Sequence, residues 1–295
     1  MAQAEAVRAA LCAAHGLALD IIELVPVTAS GDKVLDRPLA EIGGKALWTK
    51  ELDAWLLAGE IDFAVHSAKD VETMRPSELT IAAVPEREDA RDVLVGTESL
   101  STLPQGARIG TSAPRRAAQL LHHRPDCVIV PFRGNVATRL AKLEAGEADA
   151  TLLAQAGLNR LGLTLGQPLA ADLWLPAPGQ GALAIETRAG DAETRAFLSV
   201  IDHAPSHAAL FAERAFLAAL GGNCHSAVAT WVRHDGAMLH LTAAVFSPDG
   251  AERIDGEACF SPDDHAALSA LAARLLASAP ETVTRHFSGI SKAPA

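Results

Sequence analysis

The segment RIGTSAPRRAAQLLHHRPDCVIVPF, residues 108–132, contains the order of elements that decides the fold. Its two ends, Arg108 to Thr111 and Cys127 to Phe132, are short apolar runs of strand length. Between them, Pro114 to His123 has apolar residues at intervals of three and four, and Pro114 is favoured in the first turn of a helix. The order of strand, helix and strand predicts a parallel α/β layer structure.

The same alternation extends through the first two thirds of the chain. Further strands are predicted at Asp20 to Val27, Phe63 to Ser67, Leu79 to Val84, Asp92 to Gly96, Ala150 to Ala154 and Ala182 to Glu186. Helices are predicted at Lys45 to Ala58 and Asn135 to Ala145. After His203 come a helix (Ser206 to Leu220), three strands (Thr230 to His234, Met238 to Phe246 and Arg253 to Phe260) and a helix (Asp264 to Ser278). This last part is predicted to be a small α+β domain.

Two breaks divide the chain into domains. The charged segment PEREDARD (Pro85 to Asp92) and the Pro/Gly-rich segment LPAPGQGAL (Leu175 to Leu183) are typical of crossings between domains. We therefore expect the chain to leave the first domain, build a second and return. The predicted domains are residues 1–86 with 182–203, residues 90–177, and residues 204–295.

Composition excludes several classes of protein. The chain has 295 residues, of which 49% are hydrophobic and 21% charged, and its net charge is −11, so a packed globular protein is expected rather than disorder or a nucleic-acid binder. No apolar run approaches the ~20 residues of a membrane span. Four scattered cysteines lack metal-ligand spacing, so we expect neither a metal site nor a disulfide framework. Without an export signal, the cytoplasm is the expected compartment.

One stretch reverses the overall acidic balance. Between Arg108 and Arg160, eight basic residues, seven of them arginine, stand against four acidic ones. Arginine suits planar, bidentate recognition of carboxylate or phosphate, so this stretch indicates a small anionic ligand. The alternative is a solvated surface with ordinary ion pairs.

Three successive strand ends in this stretch deliver arginine or hydroxyl groups. GTSAPRR supplies Thr111, Ser112, Arg115 and Arg116, FRGNVATRL supplies Arg133 and Arg139, and AGLNRLG supplies Arg160. A helix that opens after such a strand end attracts anions through its free N–H groups. A single anion pocket explains all three ends, although a simple helix cap with exposed arginines would also fit GTSAPRR.

Two other loops carry reactive groups. FAVHSAKD runs from an apolar strand into Ser67, Lys69 and Asp70, where a carboxylate could act in acid/base chemistry or stabilise a cation; a plain turn is the alternative. Cys224 in LGGNCHS is the one cysteine predicted to be accessible, as a nucleophile or attachment point. Lys45 in GGKALWTKEL could contact anions, but this loop lacks nucleotide-binding spacing.

Taken in order, GGKALWTKEL, AVHSAKD, PEREDARD, GTSAPRR, FRGNVATRL, AGLNRLGL and PAPGQGA resemble the porphobilinogen deaminase (hydroxymethylbilane synthase) family, from about Val25 to the C-terminus. The resemblance implies two α/β domains similar to periplasmic binding proteins, linked by two crossovers, plus a small C-terminal α+β domain with a cysteine loop. It implies a transferase of tetrapyrrole biosynthesis that condenses four porphobilinogen units stepwise, releasing ammonia, to give hydroxymethylbilane. A dipyrromethane cofactor joined by a thioether to Cys224 is implied, and we expect a monomer.

The resemblance also implies roles for individual residues. Asp70 corresponds to the family's catalytic aspartate, which contacts pyrrole N–H groups. The positions implied to hold the cofactor are Cys224, Ser67, Lys69, Asp70, Thr111, Arg115, Arg116 and Arg133. Those implied to bind substrate are Arg139, Arg160, Lys45, Gln180 and Ser112.

The sequence departs from the family pattern at several points. The family begins with a strand whose arginine and serine contact the cofactor, and this chain starts near the end of that segment, so domain 1 is expected to lack a strand. Ala113 replaces a hydroxyl, Glu72 stands where proline is common, and the cysteine loop reads GGNCHSAVA. The competing hypothesis is therefore a non-catalytic anion-binding module or an inactive truncated homologue.

Overall fold

A computed structural model describes residues 1–27 and 49–287. The helices are α1 (Ala2–His15), α2 (Lys50–Ala58), α3 (Pro114–His123), α4 (Val136–Glu144), α5 (Gln155–Arg160), α6 (Ala192–Ser199), α7 (Ala204–Leu220), α8 (His265–Ser278) and α9 (Glu281–Thr284). The strands are β1 (Phe63–Ser67), β2 (Leu79–Ala83), β3 (Asp92–Val95), β4 (Arg108–Gly110), β5 (Val128–Val130), β6 (Ala150–Ala154), β7 (Gln167–Pro168), β8 (Leu183–Arg188), β9 (Val228–Asp235), β10 (Met238–Phe246) and β11 (Arg253–Phe260). The mixed α/β class is confirmed.

The chain forms two compact units, Met1–Glu88 with Ala182–His207, and Asp89–Gly181 with Ala208–Ala295. The first unit contains a three-stranded sheet in the order β1-β8-β2. Its core includes Leu11 of α1, Ile185 of β8 and Leu198 of α6. Burial of these apolar side chains stabilises the layers at roughly 25 cal/mol per Å² of apolar surface.

The sheet of the first unit corrects the prediction of purely parallel strands. Strand β8 is antiparallel to both β1 and β2. The rule that favours parallel neighbours applies to strands joined through a helix, and β8 instead follows the second break and enters the sheet between β1 and β2. The carboxyl end of β1 therefore lies beside the amino end of β8, where Ser67 pairs with Leu183.

The second unit contains a five-stranded sheet in the order β5-β4-β6-β3-β7. Strand β4 is parallel to β5 and β6, whereas β3 is antiparallel to β6, with Asp92 opposite Ala154. The carboxyl ends of β4, β5 and β6 and the amino end of β3 consequently share one edge.

The second sheet of this unit is the antiparallel meander β9-β10-β11. Its apolar face packs with helices α7 and α8 through Phe216, Leu241, Phe260 and Leu271. The helix and strand pattern predicted after His203 is therefore confirmed, while the division of the chain into three domains stays a prediction. In the described part of the chain, no helix is both long and apolar enough to cross a membrane.

The predicted strand Asp20 to Val27 is wrong. Leu19–Ile21 forms one 3₁₀ turn, and the residues that follow, 22–27, join no ladder within residues 1–27 and 49–287. A segment without ladder partners is not a strand, because strands pair their backbone groups in ladders. The predicted helix Lys45 to Ala58 begins at Lys50 in the structure, and residues 45–48 lie outside the described residues.

Candidate functional site

Polar side chains follow the parallel strands β4, β5 and β6, whose carboxyl ends share one edge of the five-stranded sheet. Thr111 and Ser112 follow β4, Arg133 follows β5, and α5, which begins directly after β6, ends at Arg160. Ser112 is exposed, whereas Thr111 is buried and its Oγ1 accepts a hydrogen bond from the Ala113 N–H (3.2 Å). The parallel pairing of β4 with β5 and β6 places these three strand ends at one edge of the sheet, while the single anion pocket stays a prediction.

Helix α3 opens at this edge with two buried arginines. Arg115 and Arg116 are each 4% exposed, and both bond the fully buried carboxylate of Asp92. Arg116 donates to Asp92 Oδ1 from Nη2 (2.7 Å) and Nε (3.1 Å), and to the Leu152 carbonyl from Nη1 (2.9 Å). These arginines therefore lie in a buried ion-pair network rather than on a solvated surface.

Two further side chains complete the shell around Asp92. Trp174 donates from Nε1 to Asp92 Oδ2 (2.7 Å), and Gln180 donates from Nε2 to Asp92 Oδ1 (2.8 Å) and to the Ala90 carbonyl (2.7 Å). Although burial opposes ionisation, the charges of Arg115 and Arg116 hold the pKa of Asp92 well below its usual range. Asp92 is therefore ionised and links β3 to α3.

This network carries more positive than negative charge. Two guanidinium groups face one carboxylate, and among the described residues Arg115 Nε is buried without a hydrogen-bond partner. A buried donor without a partner is costly, typically about 1–3 kcal/mol. An anionic group at this edge would satisfy that donor and the excess charge.

Asp92 and Trp174 were not predicted as members of the site. Asp92 begins the otherwise apolar strand DVLV, and a lone charge at the start of a buried strand is the signal that could have identified it. Gln180, expected to bind substrate, is buried and bonded within the network, so its role toward substrate stays a prediction.

The remaining arginines of this edge are partly buried. Arg139 donates from Nε to the Gly134 carbonyl (2.9 Å), and Arg160 donates from Nη2 to the Gly181 carbonyl (2.8 Å). Asn135 caps α4 by accepting a hydrogen bond from the Thr138 N–H (2.9 Å), which fixes the turn that follows Arg133. Carbonyl bonds of this kind fix the orientation of a guanidinium group.

In the first unit, Asp70 lies at the carboxyl end of β1. It ends the 3₁₀ turn Ala68–Asp70 and is exposed, while Lys69 is partly buried. The start of this turn is fixed to the sheet by the Ala68 N–H, which donates to the Ala182 carbonyl (3.0 Å), and Ser67 Oγ accepts a bond from Gln3 Nε2 (2.8 Å). Lys45 lies outside the described residues.

Cys224 lies in the loop between α7 and β9 and is exposed, as predicted. The loop is shaped by Asn223, whose backbone N–H donates to Ser226 Oγ (3.0 Å) and whose Oδ1 accepts from the His225 N–H (2.9 Å). The expectation that Cys224 alone is accessible is wrong, since Cys259 is also exposed. Cys259 lies on β11, whose side chains alternate between the core and solvent.

Family models match most of the chain. Residues 1–196 match "Porphobilinogen deaminase, dipyromethane cofactor binding domain", and residues 208–277 match "Porphobilinogen deaminase, C-terminal domain".

The chain belongs to the porphobilinogen deaminase family.

Curated relatives agree with this assignment. The porphobilinogen deaminase of Sphingopyxis alaskensis is 56% identical over 97% of this chain and 93% of its own length. Those of Nitrobacter hamburgensis and Paracoccus denitrificans are each 47% identical, over 94% and 95% of this chain and 89% and 91% of their own lengths. Among solved structures, the periplasmic VFT2 domain of Bordetella pertussis BvgS covers 70% of this chain and 82% of its own, at 20% identity and a TM-score of 0.37, a likeness too weak to add support.

The described residues fit the family's dipyrromethane cofactor. Cys224 offers an exposed thiol for a thioether, and the excess positive charge with the unpartnered Arg115 Nε suits the carboxylate side chains of such a group. Both features belong to the second unit.

Proposed function

We propose that this chain is a transferase that condenses four porphobilinogen molecules stepwise into hydroxymethylbilane, releasing one ammonia at each step. Support comes from the match to both domains of the porphobilinogen deaminase family, which together cover residues 1–196 and 208–277. The competing non-catalytic module would need the anion-binding arginines, but it would have no use for Asp70 or Cys224.

Cys224 would hold the dipyrromethane by a thioether. When bound, that group supplies the terminal pyrrole to which the first porphobilinogen is joined. The exposed loop position of Cys224 suits covalent attachment, since a buried thiol would leave no room for a two-ring group.

The arginines of the sheet edge would bind the acetate and propionate groups of cofactor and substrate. Each charged hydrogen bond contributes on the order of 1.5–3 kcal/mol, so a few of them orient a polycarboxylate. Arg133, Arg139 and Arg160 are partly buried at or near strand ends of this edge, and the hydroxyl of Ser112 is exposed there. Thr111, which follows β4, and the buried pair Arg115 and Arg116 in the first turn of α3 lie at the same edge.

Asp70 would act on the reacting ring. As the aminomethyl C–N bond of porphobilinogen breaks, the nitrogen leaves as ammonia and positive charge develops on the pyrrole. A carboxylate that accepts the pyrrole N–H hydrogen bond stabilises that charge, and it does so most where charge develops in the transition state. Lys69, next to Asp70, would contact carboxylate groups, which keeps the substrate ring oriented toward Asp70.

Product stoichiometry tests this function. Incubating the full chain with porphobilinogen should release four ammonia molecules for each hydroxymethylbilane formed. Binding of porphobilinogen without any ammonia release would contradict the transferase and favour the non-catalytic module.

A further inference from the structure

A buried cluster of ionisable side chains lies at the base of the loop that carries Asp70. Its members are His66 on β1, Arg75 in the segment between β1 and β2, Glu186 on β8, and Asp53 on α2. All four belong to the first unit. None of these residues was singled out for a role in the reaction.

Glu186 contacts the chain on both sides of Asp70. Arg75 donates to Glu186 in a bidentate pair, from Nε to Oε1 (2.8 Å) and from Nη2 to Oε2 (2.9 Å). On the other side, His66 Nε2 lies 3.2 Å from Glu186 Oε2. Glu186 thus bonds Arg75, five residues after Asp70, and lies beside His66, four residues before it, while the start of the loop is held by the bond from the Ala68 N–H to the Ala182 carbonyl.

Arg75 also joins this carboxylate to helix α2. Its Nη1 donates to Asp53 Oδ2 (3.1 Å) and its Nη2 to Asp53 Oδ1 (2.5 Å). Thr49, just before α2, accepts a longer bond from Nη1 (3.4 Å). A single guanidinium therefore fixes the Asp70 loop to the central strand of the sheet and to a neighbouring helix.

The cluster is shielded from solvent. The side chain of Glu186 is fully buried, and those of His66 and Arg75 are 7% and 8% exposed. Although burial opposes its ionisation, His66 and Arg75 hold the pKa of Glu186 below its usual value. Buried bidentate pairs of this kind have defined geometry, so they constrain the backbone more than a surface ion pair does.

We propose that Arg75 and Glu186 are positioning residues that close the base of the loop 67–74 and thereby fix Lys69 and Asp70 at the end of β1. This role rests on the proposed transferase function, because it is the position of Asp70 that the clamp serves. Between its two held ends the loop bears an exposed catalytic candidate, Asp70. A loop without the clamp would sample other conformations, since holding a residue in one backbone conformation costs entropy.

The test compares Arg75→Gln and Arg75→Lys with a control substitution of an arginine on the sheet of the first unit. Arg188→Gln is the control, because Arg188 on β8 is also partly buried and bonds the Leu56 and Ile61 carbonyls (both 2.9 Å) without reaching the clamp. Hydrogen exchange of residues 67–76 and the kinetic constants for porphobilinogen are measured for each full-length variant.

Arg75→Gln should raise amide exchange in residues 67–76 and lower kcat about 10- to 100-fold, because misplacement of a reacting group by about 1 Å costs rate on that scale. KM should change less than kcat, since the arginines of the second unit are untouched. Arg75→Lys should restore part of kcat, and Arg188→Gln should leave both the exchange of 67–76 and kcat near wild type.

If Arg75→Gln lowers kcat while exchange in 67–76 stays at the wild-type level, the positioning role is wrong. An equal loss of kcat in Arg188→Gln would also overturn it, since general loss of stability would then explain the effect. Should Arg75→Gln fail to fold, Glu186→Gln, which keeps the side-chain size, takes its place with the same expectations. The exchange comparison needs no turnover, so an inactive wild-type chain would contradict the proposed function while exchange still decides the clamp.

Discussion

At the residue scale, Asp92 decides how the arginine-rich edge is built. Residue types were enough to predict that the chain after β4, β5 and β6 supplies arginines, and the parallel pairing of these strands places their ends at one edge of the sheet. The pairing of Arg115 and Arg116 with Asp92 could not be predicted, because it depends on β3 lying antiparallel beside β6, a contact between segments far apart in sequence. The ion pair between Arg75 and Glu186 could not be predicted either, because these residues lie far apart in the sequence and no local pattern indicates that they are in contact.

Asp92→Asn should lower the free energy of unfolding by about 3–5 kcal/mol at pH 7, because removing one partner leaves two buried guanidinium charges uncompensated. Chemical denaturation of both proteins measures this difference. Since the folded pKa of Asp92 lies below its unfolded value of ~3.9, its contribution is present above that pH and is lost as pH falls through the folded pKa. The gap between wild type and variant should therefore narrow below about pH 4; a gap independent of pH would contradict the ionised network.

Asp70→Asn should retain the covalent cofactor and lose about 10²- to 10³-fold in kcat, because the amide cannot stabilise the positive charge that develops on the pyrrole. The matched control is Asp62→Asn, which removes an exposed carboxylate just before β1, at the opposite end of that strand from Asp70. Steady-state kinetics with porphobilinogen compares the two. Near wild-type turnover in Asp70→Asn would show that Asp70 has no catalytic role.

At the scale of elements, periodicity predicted several bounds well. Helix α3 and strands β1, β6, β10 and β11 begin and end where their apolar patterns predict. The direction of a strand, as for β8, and its existence, as for Asp20 to Val27, were harder to predict than helix and strand bounds. Both depend on which neighbouring strands pair with the segment in a ladder. Such partners are set by tertiary contacts that a local pattern does not contain.

Gly250 is an element-scale test, because the turn between β10 and β11 packs against α3. A Cβ added at Gly250 would lie 2.5 Å from the Ala118 carbonyl oxygen and 2.6 Å from the His122 backbone nitrogen. Gly236, in the turn between β9 and β10, has a similarly positive φ but open space around it. Gly250→Ala should therefore lower the free energy of unfolding by about 1–3 kcal/mol more than Gly236→Ala does. Thermal unfolding measures this as a larger drop in the midpoint temperature. Equal effects would show that backbone strain alone matters and that the turn does not pack on α3.

At the scale of the whole molecule, the net charge of −11 conceals an edge with excess positive charge. Although the total charge is acidic, the local arginines suit small polycarboxylates. The family match assigns the chain a cofactor-binding domain and a C-terminal domain, and the exposed Cys224 lies just beyond α7 in the latter. Covalent loading of this thiol is the central claim, since every later step depends on it.

Intact mass spectrometry of the purified chain after incubation with porphobilinogen tests that claim most directly. The wild type should carry the mass of its sequence plus a covalently bound dipyrromethane. Cys224→Ser should lose this excess, and the matched variant Cys259→Ser, at the other exposed cysteine, should keep it. A wild-type chain at its bare sequence mass, or an excess that survives in Cys224→Ser, would contradict the account.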